Sequence, residues 1–539
     1  MNSDSEGRMN RRNVLRTLGT AGVIGVAACS GVEEIERSLT ETETPEETKK
    51  EEPTETPEEW DIDPLEHDKL IGAHYYPWYH GPSQDWLEMS PREPILGEYD
   101  SRDEEVINQH IKWAREHGIN WFNMSWRTDN MRHSTIRDHF LDADLSDEIY
   151  FSILYETPHQ LPNFPDFDDS ETRRELRENF KTIEHTFFDE MNYLEIDGRP
   201  VMYVYNVNSF ESPSTDIDTD ISGAFREAKE QLDTDPYLIA STPNIDSSRF
   251  WHQDRNDIFS EWVDEFDAIS PYTLHDDRVA EKYDMEGFIN YAEKVGMNGL
   301  LAAETEGLDY IPNLTAGVNT TEIEDSNPRM LERSPQDFRE FSRSVMGRVD
   351  PDLDAVLVTS FNEWYEDSQV DPAESYGKTY LEIIGNEVAK REPGYNPEEY
   401  DEIQFIWNRT PKPEESHREI AVYVGELEIF DESGSKTAAY NIGVPDNEPY
   451  LVEGVYPPEE VPDDPKPLRH RRWFGGPASR TTIYLGSEVS DSHIAKIRGY
   501  PMDERIEADI HMNGEPTDHL YFGERKNQTY QISLTPVNT

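Results

Sequence analysis

The stretch Ala355-Val-Leu-Val-Thr-Ser-Phe-Asn-Glu-Trp-Tyr-Glu-Asp-Ser-Gln-Val-Asp-Pro372 decides how the chain is read. Its first residues are aliphatic or β-branched, the mark of a short buried strand. At Asn362-Glu363-Trp364-Tyr365-Glu366 the sequence turns polar and aromatic at once. In a helical turn, Glu363 and Glu366 would stand at i and i+3, with Cβ atoms roughly 5 to 6 Å apart on one side. Two carboxylates that close cannot both ionise freely, so one is expected to keep its proton near neutral pH. A proton donor beside a proton acceptor is what cleavage of a glycosidic bond requires. In a chain with 113 acidic residues, Glu-x-x-Glu is also an ordinary solvated helix face. The Asn and the two aromatics interleaved with the acids, straight after an apolar strand, favour chemistry.

Outward from this stretch, strand and helix patterns alternate. Apolar strand candidates begin at Ile71, Ile119, Ile149, Val201, Tyr237, Ala268, Gly299 and Ala355, and helical periodicity covers 104–116, 171–192, 223–232, 286–294 and 336–349. Such alternation over residues 69–392 predicts an α/β fold of the (β/α)8 TIM-barrel class. An open doubly wound sheet is the rival. Against it, no Gly-rich phosphate loop follows the first strand, and nearly every strand ends in a polar or aromatic cluster.

Those ends offer Tyr75-Tyr-Pro-Trp-Tyr-His80, Ser125-Trp126-Arg127, Tyr155-Glu156, Tyr203 with Tyr205 and Asn206, Asn244, Tyr272, Glu304 with Glu306, and Glu363 with Glu366. Barrel strands bring their carboxyl ends to one mouth. Aromatic rings there form platforms for the apolar faces of sugars, and Asn and carboxylates bind hydroxyls. Singly each ring is ordinary core packing; together they read as a carbohydrate cleft. The segment 309–333 reads as a loop over that mouth. It holds two glycosylation sequons, Asn313-Leu-Thr315 and Asn319-Thr-Thr321.

Four motifs resemble glycoside hydrolase family 99 and its wider relatives over most of residues 70–390. They are Gly72-Ala-His-Tyr-Tyr-Pro-Trp-Tyr79, Gly97-Glu-Tyr-Asp-Ser101, His110-Ile-Lys-Trp-Ala114 with Gly118-Ile119, and Thr359-Ser-Phe-Asn-Glu-Trp-Tyr-Glu366 followed by Gln369. The resemblance implies a (β/α)8 barrel with retaining endo-α-mannosidase or α-mannanase activity, no cofactor and no metal. It implies that Glu363 acts as a base on the substrate's own C2 hydroxyl and that Glu366 protonates the leaving oxygen and later activates water. Glu156 would bind hydroxyls near the cleaved bond. Tyr76, Trp78, Trp126, Tyr205, Tyr272, Asn362 and Trp364 are the expected sugar-binding residues; for Tyr76, Trp126 and Tyr205 strand-end position counts for more than motif. Relatives of this barrel in polysaccharide gene clusters have been labelled glycosyltransferases, so hydrolysis and transfer both stay open. A third reading is a non-catalytic carbohydrate-binding surface protein, which would have no need of the Glu363 and Glu366 pair.

The rest of the chain bounds its surroundings. Lys and Arg total 49 against the 113 acids, a net charge of −64 spread along the sequence. Such self-repulsion is tolerated where concentrated salt screens it, as in a haloarchaeal-type host. It also excludes nucleic acid as a partner. The single cysteine, Cys29, leaves no intrachain disulfide, and the absence of His-x-His or His-Glu-x-x-His disfavours a metal-dependent hydrolase. Residues 1–29 read as a twin-arginine signal, with Asn10-Arg-Arg-Asn-Val-Leu-Arg16, an apolar run and a Val26-Ala-Ala-Cys29 lipobox. The expectation is a lipid on Cys29, holding the protein on the outer face of the cytoplasmic membrane. Residues 30–68 are a Glu, Thr and Pro tether with little to bury. Residues 393–539 alternate like the strands of a β-sandwich, and their Arg469-His-Arg-Arg-Trp-Phe474 is a rare basic patch that either grips an anionic glycan or packs against the acidic barrel.

Overall fold

A computed structural model describes residues 69–535, apart from 82–85, 87–89, 129, 162–164, 208–220, 242–262, 275–284, 322, 324–329, 412–419, 443, 445–448, 454, 456–458, 461–469, 476–478, 487–491 and 524. The expected signal, lipobox, Cys29 and tether, and the strand-end Asn244, lie outside the described residues. Among the described residues no helix is long and apolar enough to cross a membrane.

The first part of the chain is mixed α/β. Its parallel strands are β1 (Leu70–Tyr75), β2 (Trp121–Trp126), β3 (Tyr150–Tyr155), β4 (Arg199–Val204), β5 (Tyr237–Ser241), β6 (Ala268–Ser270), β7 (Asp309–Tyr310), β8 (Asn313–Thr315) and β9 (Ala355–Thr359). Helices between and after them include α1 (Glu104–Glu116), α2 (Ser170–Ile183), α3 (Ile221–Lys229), α4 (Met285–Glu306), α5 (Pro335–Met346) and α6 (Thr379–Ile384). In the sheet the strands lie in the order β7-β6-β5-β4-β3-β2-β1-β9-β8. The two ends of that order are successive pieces of one stretch: Ile311 N–H bonds the carbonyl of Ile269, and Leu357 N–H bonds that of Pro312. The sheet therefore curls back on itself.

Alternation along each strand divides two apolar layers. Trp121, Leu154, Val201, Tyr203, Ile239, Ile311 and Leu357 form a cluster on the concave side. Phe122, Met124, Ile153, Met202, Leu238 and Val356 belong to a larger cluster with helix residues such as Ile107, Ile111, Leu176, Phe180, Phe338 and Phe341. With both faces covered, the strands are nearly all apolar, as parallel sheets demand. Gly72 is dictated by this packing: a Cβ there would lie 2.3 Å from the Trp121 ring and 2.7 Å from Leu357. Side-chain caps mark where two of these helices start. The Asp103 carboxylate caps α1 by accepting from Glu105 N–H, and the Ser334 hydroxyl caps α5 ahead of Pro335.

One expected strand is wrong. The run from Gly299 lies inside the 22-residue helix α4, and residues 295–303 are buried throughout. An apolar run hidden on every side carries no period that separates strand from helix. The seventh strand unit comes instead from 309–315, the segment expected to be a loop over the mouth, where Pro312 interrupts and Asn313 and Thr315 hide polar groups in the sheet. Asn313 of the first sequon is buried and donates to Thr359 Oγ1 at 2.8 Å. Glu304 and Glu306, expected at a strand's carboxyl end, instead end α4, at the entry to β7. There Tyr395 O–H donates to Glu304 at 2.6 Å and Arg480 approaches Glu306 at 3.7 Å.

The last part of the chain is antiparallel. A five-stranded sheet contains 400–407, 450–453, 480–486, 506–512 and 515–522; a six-stranded sheet contains 420–431, 436–440, 459–460, 470–475, 492–501 and 528–533. Residues of both, among them Ile403, Phe405, Ile483, Ile510, Val422, Ile429 and Ile497, share one apolar cluster. Within the basic patch, Arg472 is buried and Arg471 lies over the Tyr423 ring at 4.0 Å. This part meets α4 near the amino end of β7, where Thr305 and Tyr484 hydroxyls are 3.1 Å apart.

Candidate active site

At the carboxyl end of β9 the chain forms a closed loop rather than a helix. Ser360 and Ser368 tie its base: Ser360 N–H bonds the Ser368 carbonyl at 2.9 Å and Val370 N–H bonds that of Ser360 at 2.9 Å. The Ser360 hydroxyl accepts from Glu363 N–H at 2.8 Å. Asp367 closes the turn with φ of 50°, in the left-handed region that Asp tolerates better than most residues. The helical i, i+3 relation expected of Glu363 and Glu366 is thus replaced by a turn, because side-chain and loop-closing bonds satisfy the backbone that a helix would otherwise need.

Two arginines lock this turn from behind. Arg92 Nε reaches Asp367 Oδ1 at 2.7 Å, and Arg333 Nε reaches the same oxygen at 3.0 Å. Arg333 also donates to the Asp367 carbonyl at 2.7 Å and to that of Gln369 at 2.5 Å, while its guanidinium lies 4.9 Å from the Tyr380 ring and 5.2 Å from that of Tyr376. Asp367 directly follows Glu366, so this clamp, with Arg333 buried and Arg92 partly exposed, fixes where the Glu366 backbone runs.

Glu363 is buried, and its Oε1 accepts from Tyr365 N–H at 3.3 Å. The Tyr79 hydroxyl donates to the Asn362 carbonyl at 2.9 Å, with Glu363 Oε1 at 3.4 Å as its weaker alternative. Asn362 is spent on the scaffold: its Oδ1 accepts from Tyr76 N–H at 2.7 Å and its Nδ2 donates to the Tyr76 carbonyl at 3.2 Å. Trp364 is likewise fully buried, with Nε1 donating towards Tyr99 Oη at 3.0 Å and Asp371 Oδ2 at 3.2 Å.

The structure does gather Glu363, Glu366, Glu156, Tyr76, Tyr205 and Tyr272. The Tyr76 and Tyr272 hydroxyls are hydrogen-bonded to each other, and the Tyr205 ring stands edge-on to Tyr272 at 5.0 Å. Burial pushes the Tyr272 phenol up, and the charges of Glu366 and, more weakly, Glu363 push it the same way. Burial also raises the Tyr76 phenol, aided by Tyr272 and by the charges of Glu363 and Glu156. One pair of tyrosine hydroxyls therefore feels all three carboxylates. Glu156 itself is buried at the end of β3, accepts from the Ser125 hydroxyl at 2.6 Å and has Arg132 at 3.8 Å.

Trp78 is half-buried, 4.5 Å from the Tyr76 ring and beneath the Arg132 guanidinium at 4.3 Å. Trp126 stands apart: it is fully buried in the helix-facing layer and donates from Nε1 to His133 at 3.1 Å. Strand parity explains this, since Trp121 faces the concave side and Trp126, five residues on, faces the opposite way. Sequence reasoning passed over His74, Arg132, Arg333 and Asp367. For His74 the same parity was the available signal, two residues beyond Gly72. Among the described residues there is no group of three or more His, Cys, Asp or Glu side chains placed to hold a metal.

Comparison with known proteins finds similarity to several carbohydrate-active proteins. Residues 168–384 match the family model described as glycosyltransferase WbsX. The mouse (Mus musculus) glycoprotein endo-alpha-1,2-mannosidase is 26% identical over 324 residues, covering 58% of this chain and 63% of that protein. The chain thus spans less than two thirds of its curated relative's length. Among solved structures, a glycoside hydrolase-like protein aligns with a TM-score of 0.48 at 20% identity, over 60% of this chain and 94% of the other. The GH99 endo-alpha-mannosidase from Bacteroides thetaiotaomicron aligns with a TM-score of 0.44 at 18% identity, over 59% of this chain and 96% of the other.

Proposed function

We propose that this protein is a retaining glycoside hydrolase that cleaves α-mannosidic or closely related bonds, on a closed (β/α)8 barrel followed by a β-sandwich module. The observation that carries the reading is the convergence of Glu363, Glu366 and Glu156 on the Tyr76–Tyr272 hydroxyl pair. Similarity to the mouse endo-mannosidase supports the choice of bond.

In this reading Glu363 takes the proton of the sugar's C2 hydroxyl as that oxygen bonds C1, and the bond from C1 to the leaving oxygen breaks as Glu366 delivers its proton. Water, deprotonated by Glu366, then opens the 1,2-anhydro ring at C1 and the proton returns from Glu363 to O2. No enzyme carboxylate is esterified, and the two displacements retain configuration. Twin-arginine export with a lipid on Cys29 is part of the same proposal. Residue 69 enters at the amino end of β1, whereas the carboxylates gather at the carboxyl ends, so a tether there would leave the site facing away from the membrane.

The second reading, glycosyl transfer, is favoured by the name of the matching family model. Incubation at high salt with α-mannan and α-mannosyl oligosaccharides separates the two. The wild type should release product without an activated donor, and Glu366→Gln should slow that release by roughly 100-fold or more. Equal release by both forms refutes the hydrolase reading, and product that needs a nucleotide-sugar donor favours transfer.

A further inference from the structure

His74 is held in one tautomer by hydrogen bonds whose direction is fixed at the far end. The indole N–H of Trp121 can only donate, and it donates to the Ser152 hydroxyl at 2.7 Å. The Ser152 hydroxyl in turn donates to Asn123 Oδ1 at 3.0 Å. That leaves the Asn123 amide nitrogen, a donor, facing His74 Nδ1 at 3.0 Å. Nδ1 must therefore accept, and in neutral imidazole the proton then sits on Nε2. Burial holds the imidazole pKa down to about 3, so the neutral form and its tautomer persist at any pH of interest.

That Nε2–H is buried and has no hydrogen-bond partner among the described residues. An unpaired buried donor is costly and calls for an explanation. Its surroundings supply one. The His74 ring lies 4.9 Å from Tyr203 and 5.1 Å from Tyr272, and the Glu156 charge acts on it. A fixed donor thus lies within the field of a fixed acceptor, beside the tyrosine pair of the candidate site. An anionic group would be repelled by Glu156, Glu363 and Glu366, and a carbonyl could satisfy only the donor. A neutral hydroxyl accepts from one and donates to the other.

We propose that His74 Nε2–H and the Glu156 carboxylate together seat one hydroxyl of the bound sugar, making His74 a specificity residue. This rests on the glycoside hydrolase reading. The test uses Glu366→Gln protein, so that ligand is not consumed, titrated calorimetrically with α-linked mannobiose and its monodeoxy analogues. His74→Asn keeps an acceptor towards Asn123 and removes the donor, whereas His74→Gln returns an amide N–H near the Nε2 position.

His74→Asn should weaken mannobiose binding about tenfold, with His74→Gln recovering most of the loss. One monodeoxy analogue, already lacking the seated hydroxyl, should lose nothing further on His74→Asn. Unchanged binding by His74→Asn overturns the inference alone. So does a loss common to the Asn and Gln variants and to every deoxy analogue, which marks a merely structural role. Absence of mannobiose binding by the Glu366→Gln parent overturns the mannosidase reading and this inference with it.

Discussion

Asp371 closes the polar network behind the Glu363 turn, and replacing it with Asn tests whether that network is neutral. Its carboxyl is fully buried, and Oδ2 faces Tyr99 Oη at 3.3 Å, Trp364 Nε1 at 3.2 Å and His110 Nε2 at 3.4 Å. Burial pushes the Asp371 pKa well up, outweighing the two donors that oppose it, and burial pushes His110 down to about 3. His110 is thus neutral near pH 7, and Asp371 keeps its proton to higher pH in the folded chain than in the unfolded one. The sign for Asp371 follows from linkage. Between its ordinary pKa near 4 and its raised folded value, the unfolded chain has lost the proton that the folded chain keeps. Folding then takes up a proton, and Asp371 makes stability fall as pH rises, by up to about 1.4 kcal/mol per pH unit. Asn is nearly isosteric, presents an oxygen to the same donors and has no proton to lose. Asp371→Asn should therefore gain on the wild type as pH rises from about 4 to the raised folded pKa, by up to about 1.4 kcal/mol per pH unit. Urea unfolding at fixed high salt, followed by tryptophan fluorescence at several pH values, measures the gap. A gap that is constant, or that narrows as pH rises, refutes the raised Asp371 pKa.

Two further outcomes separate scaffold from site. Arg333→Met leaves the buried Asp367 to the partly exposed Arg92, and should cost about 3 to 5 kcal/mol in urea unfolding, against about 1 kcal/mol for Arg92→Met. Trp126→Phe should lower stability by about 1 to 3 kcal/mol and leave product release at saturating substrate unchanged, whereas Tyr272→Phe should slow release at least about tenfold while unfolding within about 1 kcal/mol of the wild type.

The order of strands and helices was legible because it rests on local signals: apolar runs bounded by polar clusters, and helical periodicity between them. It failed where those signals cancel. Val295–Ala303 is buried on every side, so its period vanished and a helix read as a strand, while Asp309–Thr315, broken by Pro312 and carrying hidden Asn and Thr, read as a loop. The candidate site was legible only as far as strand-end position carries. Carboxyl-end placement singled out Tyr76, Glu156, Tyr272, Glu363 and Glu366, but it could not say which aromatics face the mouth. That is settled by parity along the strand, which turns Trp126 towards the helices and brings His74, an unremarkable residue in sequence, beside the tyrosines. Nor could it anticipate the buried partners. Asp371 and His110 lie far apart in sequence, and Asp367 takes its two arginines from 92 and 333. Such pairs leave no periodicity to read. The charge of −64 hid them further, since in so acidic a chain any single carboxylate looks like solvent-facing surface. What distinguishes Glu363, Asp367 and Asp371 from the other acids is burial with specific partners, and that is a property of the closed loop after β9 rather than of the residues that compose it.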